Sequence, residues 1–255
     1  DKSFFESHCV QENEFLEIWK DLKVPHLHFL EKYCYIEWDI VESLNQSSYF
    51  LQIMSVLNMM SPVISLLMPL LFFIFPFIIL KMRNIPITFQ VYINVLQDIA
   101  KYHFIGKTIT NLSKISPEKV VYILLGLSMF CYQIYQNVVS CKRFYKNIQK
   151  ICTQLMTLKV YLGHTIKNMN EFLLQHNDKL SYKSFCEDVL THKNQLQRAL
   201  DGLQNHNSRN FTLMNLSHVG YVLKNYYEFH ADGDFDASMR YSFGFHGFLD
   251  NIRGI

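Results

Sequence analysis

Between Ser43 and Leu80 the chain runs for 38 residues without a charged side chain. The second half of that run, Pro62 to Leu80, is almost entirely hydrocarbon. As one straight helix its 19 residues would reach about 28 Å, close to the roughly 30 Å hydrocarbon core of a bilayer. Pro62, Pro69 and Pro76 fall seven apart. Each removes an amide donor and pushes the preceding residue (Ser61, Met68, Phe75) out of the α region. Lipid tolerates the freed carbonyls only where neighbouring protein satisfies them, whereas in a soluble domain such prolines mark the starts of short buried helices. The prolines therefore weigh toward a buried soluble core, with membrane insertion as the alternative. Lys81 and Arg83 fit a membrane flank or an ordinary loop equally well.

The remaining pattern is helical. Glu12 to Leu22 has apolar residues at helical spacing, and Pro25 ends that stretch. Residues 31–60 read as helix, Ile87 to Leu96 as another running to about Lys101. Ser116-Pro117-Glu118-Lys119 is a helix start: a capping Ser, Pro at the first position and an acid in the first turn. Steps of four and three from Val120 reach Leu124, Leu127, Cys131 and onward to Leu173, and fifteen of these sixteen positions are apolar or semi-apolar. Lys159 is the exception. Such a repeat predicts one continuous helix of roughly 90 Å from Pro117 to about His176, with a seam against partner helices. Its first half is apolar nearly all round and is expected to be sunk in a bundle. Its second half carries Lys142, Arg143, Lys146, Lys150 and Lys167 and is expected to project toward solvent. Asn177-Asp178 turns the chain, residues 183–204 return, Asn205 to Asn210 is a polar loop, and helices at 213–230 and 236–255 follow. The class is all-α: a helical bundle with one very long, lever-like helix. Residues 1–115 form a strongly apolar helical part and 116–255 the long helix, its return and the closing helices.

Composition adds a charge asymmetry. The net charge is +2, but residues 1–42 carry ten acids and four bases, while 142–200 carry ten bases and four acids. The basic middle is a candidate for a polyanion. Lys150, Lys159, Lys167, Lys179, Lys183, Lys193 and Arg198 are the candidate phosphate contacts, with an ordinary solvated helix face as the alternative. Six cysteines lack any CxxC pair and read as free thiols. Sequons at Asn45, Asn111, Asn210 and Asn215 read as accidents of composition, since nothing else suggests secretion. The chain lacks an initial Met and ends within a helical pattern, as expected of a piece of a longer protein.

Chemistry is sparse. Gly106-Lys107-Thr108 lacks the upstream glycine of a phosphate loop, its place being taken by Lys101. Asp232, Asp234 and Asp236 match the first ligands of a calcium loop, but Ala237 and Phe243 stand where Gly and Glu are needed. An extended stretch would put His26 and His28 on one side, but no third ligand for a metal is identifiable. No catalytic residues, metal or cofactor are assigned.

Two segments carry a resemblance. Leu57-Asn58-Met59-Met60-Ser61-Pro62, leading through Pro69 to Pro76-Phe77-Ile78-Ile79-Leu80-Lys81, resembles the apolar signature of a divergent branch of the MutS family of DNA mismatch repair ATPases, found in large DNA viruses and some bacteria. Arg240 to Ile252 resembles the helix that family places just before its ATPase domain. The resemblance implies a core, or lever, domain that couples double-stranded DNA at a basic tip to a downstream ATPase, with ATP and Mg used by the parent protein, a homodimer around DNA, and an intracellular location (cytoplasm or viral replication site). The family's mismatch-reading Phe-x-Glu is not carried over to Phe15-Leu16-Glu17 or Phe29-Leu30-Glu31, which lack its context. The rival readings are a membrane-anchored helical scaffold inserted through residues 62–80 and a soluble coiled-coil adaptor.

Overall fold

The computed structural model describes residues 15–84, 86, 88–102, 117–176, 178–204 and 217–253. Every regular element among them is helical. These are α1 (15–22), α2 (His26–Tyr33), a 3-10 helix (Asp39–Gln46), α3 (Ser48–Met82), α4 (Phe89–Tyr102), α5 (Pro117–His176), a short 3-10 turn (Leu180–Tyr182), α6 (Lys183–Gly202), α7 (Val219–Ala231) and α8 (Gly233–Arg253). Gly106-Lys107-Thr108, Ser116, Asn177, the polar loop 205–210, the sequons at Asn111, Asn210 and Asn215, and the 115/116 boundary lie outside the described residues.

Packing divides the chain into two units, residues 1–56 with 145–255, and residues 57–144. The first has a conventional interior. Phe15, Ile18 and Leu22 of α1, Phe29, Leu30 and Tyr33 of α2, and Leu51 of α3 are buried, as are Leu196 of α6, Tyr226 of α7 and Met239 of α8. Phe15 lies flat on Tyr161 with ring centroids 4.0 Å apart, and Phe29 is fully buried, so the phenylalanine of each Phe-x-Glu look-alike is a core residue. α6 packs along α8, where Phe172, Phe185, Phe245 and Phe248 meet edge to face or tilted. α7 approaches α3 so closely that only glycine fits at position 220. A Cβ there would stand 2.1 Å from the Ser48 carbonyl oxygen, and the Gly220 amide donates to Gln52 Oε1 at 2.9 Å.

Polar side chains fasten the irregular stretch after α2. Residues 31–60 are not one helix. α2 stops at Cys34, which adopts a left-handed φ of 61°, and the chain runs on through Tyr35 into the 3-10 helix. Asn45, fully buried, holds the Ile36 peptide from both sides: its Oδ1 accepts the Ile36 amide and its Nδ2 donates to the Ile36 carbonyl, each at 3.0 Å. Asp21 accepts from Lys32 at 2.7 Å, Lys150 at 2.5 Å and Gln154 at 2.7 Å, and Tyr226 donates to Gln154 Oε1 at 2.9 Å. Burial pushes the Asp21 carboxyl up, but those donors outweigh it and hold the group down at about 2.

The long helix is continuous past Ser140, yet its two halves reverse the sequence expectation. From Phe144 on, Ile148, Ile151, Leu155, Leu158, Leu162, Thr165, Met169 and Phe172 are buried at steps of four and three. The working seam thus uses Leu158 rather than Lys159, whose ammonium donates to the Gln204 carbonyl at 3.3 Å. The 3.5-residue repeat was legible: of its positions from Tyr145 to Leu173, Ile148, Cys152, Leu155, Leu162, Ile166 and Met169 are buried, and Tyr145, Lys159 and Leu173 sit one residue off. In the first half Val121, Leu124, Leu125, Leu127, Met129 and Tyr135 are exposed. That half is not sunk in a bundle.

Candidate functional site

The second unit, residues 57–144, carries the feature that most needs a function. It holds 24 of the 36 exposed large apolar side chains among the described residues, but only Leu80 and Phe144 of the buried ones. α3 is one helix through all three prolines, not a set of short buried ones. Part of the reason lies at Ser61. Pro62 cannot donate to the Asn58 carbonyl four residues back, and the Ser61 hydroxyl donates to it instead, at 2.8 Å. One turn on, the Ser65 hydroxyl donates to the Ser61 carbonyl at 2.9 Å.

Within this unit α3 and α5 run antiparallel. Asn137 Nδ2 donates to Ser65 Oγ, and the Cys141 thiol to the Met59 carbonyl at 3.5 Å, so numbers fall along one helix as they rise along the other. Polar groups therefore meet between the helices, while hydrocarbon faces outward. On α3 Leu66 is 55% exposed, Met68 59% and Phe75 57%; on α5 Leu124 is 62% exposed and Leu125 59%. The burial pattern of the first unit is reversed here. α3 from Leu57 to Leu80 spans about 36 Å and α5 from Val120 to Val139 about 30 Å, each free of charge over that length. Among the described residues one helix, α3, is long and apolar enough to cross a membrane by length and composition alone, over Ser48–Pro69, and little of that stretch is buried.

The seven candidate phosphate contacts do not gather into one surface. Lys150 is bound to Asp21, Lys159 to the Gln204 carbonyl, Lys167 lies 3.9 Å from Glu171, and Lys193 donates to Asn170 Oδ1 at 3.1 Å. Lys179 and Lys183 are exposed at the α5–α6 turn, with no ion pair among the described residues. Arg198 lines a cavity of about 480 Å³ together with Gln195, Asn225, Glu228, Asp232 and Asp234, so an anion reaching it also meets three carboxylates.

Two other motifs take structural roles. Asp232 caps α8, its Oδ1 accepting the amides of Asp234 at 2.9 Å and Phe235 at 3.2 Å, which accounts for the acidic run without calcium. His26 and His28 stand on a helix rather than an extended strand, and His26 instead meets His230 and Glu42. Nothing in the sequence signals that cluster, because His26 and His230 are 204 residues apart. No group of three or more His, Cys, Asp or Glu able to hold a metal occurs among the described residues. No protein-family model, curated protein or solved structure matches the chain.

Proposed function

We propose that this chain is a membrane-seated helical scaffold, inserted through residues 57–144, with the other unit folded in water. The observation that carries the reading is the outward hydrocarbon of α3 and α5 in a unit whose polar contacts lie between helices. Leaving one large apolar side chain half exposed forgoes about 1 kcal/mol of burial. Two dozen of them forgo more than the entire stability of a typical domain, about 5–15 kcal/mol. In hydrocarbon that cost vanishes, and the lengths suit a core of about 30 Å with some tilt. Pro62 is tolerable there because Ser61 supplies a donor to the carbonyl it frees, that of Asn58. Serine and asparagine between apolar helices are the contacts that hold such helices together in lipid. Alkaline carbonate treatment of membranes from cells expressing the chain tests this. Retention in the pellet until detergent is added is the expected result, and release by carbonate alone overturns the reading.

A second reading has its own support, the unbroken α5 from Pro117 to His176. A helix without a joint suits the lever of a MutS-like DNA mismatch repair ATPase, which would grip double-stranded DNA at the turn bearing Lys179 and Lys183. The parent protein would then be a dimer using ATP and Mg. Lys179→Ala, Lys183→Ala and Lys193→Ala combined would weaken DNA binding and reduce its salt dependence. Unchanged salt-dependent binding in that triple variant removes the tip from the account.

A further inference from the structure

The stretch that enters α3 divides its large side chains between two sides. Tyr33 and Tyr35 are buried against Phe29, with ring centroids 5.1 Å and 5.6 Å away. Trp38, Ile40 and Tyr49, by contrast, are 77%, 94% and 84% exposed. Ile53, one turn after Tyr49 on the same face of α3, is exposed too, and so is Met54. These five are among only twelve large apolar side chains that the first unit exposes in its described residues, and they fall within seventeen positions. Such crowding sets them apart from apolar residues scattered singly over a wet surface.

Hydrogen bonds fix where these side chains stand. The Asn45 clasp holds Ile36 beside Asn45, and the Ser47 hydroxyl accepts the Phe50 amide at 3.4 Å where α3 begins. Trp38 is two residues from one arm of the clasp and Tyr49 four from the other, at most about 7 Å and about 14 Å of extended chain. α3 itself, 35 residues long, spans about 52 Å. The exposed side chains therefore gather at its N-terminal end, and the stretch apolar enough to cross a membrane opens at the same point, Ser48. Indole and phenol each join an apolar ring to a polar tip, the combination that settles at the headgroup level of a bilayer. Glu37 and Asp39, exposed on either side of Trp38, bar deeper burial, because a carboxylate is costly in hydrocarbon.

We propose that Trp38, Ile40 and Tyr49 form an interfacial anchor, an edge of the first unit that rests in the headgroup layer of a membrane at the end where α3 enters it. The anchor rests on the membrane reading given above. Lipid is its occupant rather than another protein because the helix carrying Tyr49 and Ile53 continues unbroken into the apolar stretch. Glu37 and Asp39 suit that surface to zwitterionic rather than anionic lipid. The chain has two tryptophans, and the other, Trp19, is half-buried with its ring 5.8 Å from that of Phe243, so Trp19→Phe leaves Trp38 as the single reporter. The full chain with that substitution is reconstituted into phosphatidylcholine vesicles, washed with alkaline carbonate and recovered by flotation. Trp38 fluorescence should fall about twofold or more when the lipid is brominated in the upper acyl chain, and less when it is brominated near the chain ends. Stronger quenching by chain-end bromine overturns the headgroup placement. Quenching by aqueous iodide alone, in protein that floats, overturns the anchor and leaves the membrane reading standing. Protection from iodide and from both lipids also overturns it, and puts a second copy or another protein over Trp38. Protein that does not float removes the membrane reading and the anchor with it. Should Trp19→Phe fail to fold, the parent is compared with Trp38→Phe, altered at an exposed site: the quenching lost is that of Trp38, and a variant quenched like the parent overturns the proposal.

Discussion

The two halves of α5 share one helix and one apolar repeat, and meet opposite surroundings. After Phe144 the repeat is buried, and Lys146, Lys150, Lys159 and Lys167 occupy positions beside it. Before Phe144 no charged residue occurs from Val120 to Cys141, and the apolar side chains lie open. Periodicity says which side of a helix is apolar. Whether another side is made for water is read from the charges, and only the second half has one. An apolar helix with no wet face is made for a deep protein core or for lipid, and the exposed apolar side chains between Val120 and Tyr135 are why lipid is the setting we propose for it.

The sharpest way to break this contrast is to truncate matching positions. Leu162→Ala, at a fully buried site, should cost about 2–5 kcal/mol in denaturant unfolding of detergent-solubilised protein. Leu124→Ala should change the same measurement by less than about 0.5 kcal/mol. Equal losses would mean that both halves sit in protein core. Next in size, Gly220→Ala forces a methyl group onto the Ser48 carbonyl and should cost about 1–3 kcal/mol, seen as a lower unfolding midpoint with unchanged slope.

Asp21→Asn is a smaller, pH-resolved effect. With its pKa lowered from 3.8 to about 2, Asp21 contributes fully above pH 3.8, and that contribution disappears as pH falls through about 2. Partial exposure and screening limit it to about 1 kcal/mol at neutral pH, and the variant should flatten the acid limb of stability between those values. An unchanged limb would place the acid sensitivity elsewhere. Smallest of all, Lys179→Ala with Lys183→Ala should leave stability within about 0.5 kcal/mol, since both side chains stand exposed. A larger loss would show that the turn they occupy is packed more firmly than its surface position implies.

Much of the architecture was legible. The start of α5 at Pro117, its end at His176, the return helix and α4 all follow from periodicity and capping chemistry. Burial was not legible. An apolar run reads the same whether protein or lipid covers it, and proline's preference for helix starts was overridden at Pro62 by the Ser61 hydroxyl, a local rescue that only side-chain geometry reveals. Lys159 misled in a simpler way: its neighbour Leu158 belongs to the seam, and a 3.5-residue ladder tolerates either choice over a few turns. Basic charge between 142 and 200 was correctly counted, but Lys150 serves Asp21, which no spacing rule connects to it. The meeting of His26 with His230 was invisible for the same reason.

The Asn45 clasp bears on how the chain could be handled by an oligosaccharide-transferring enzyme. Asn45-Gln46-Ser47 has the acceptor letters, yet the nitrogen that would bear the sugar is spent on the Ile36 carbonyl, in a side chain with no surface left to present. A glycan could be attached only before that stretch closes, and once attached would keep it from closing. Native folding and sugar at this asparagine are therefore mutually exclusive outcomes for any one molecule.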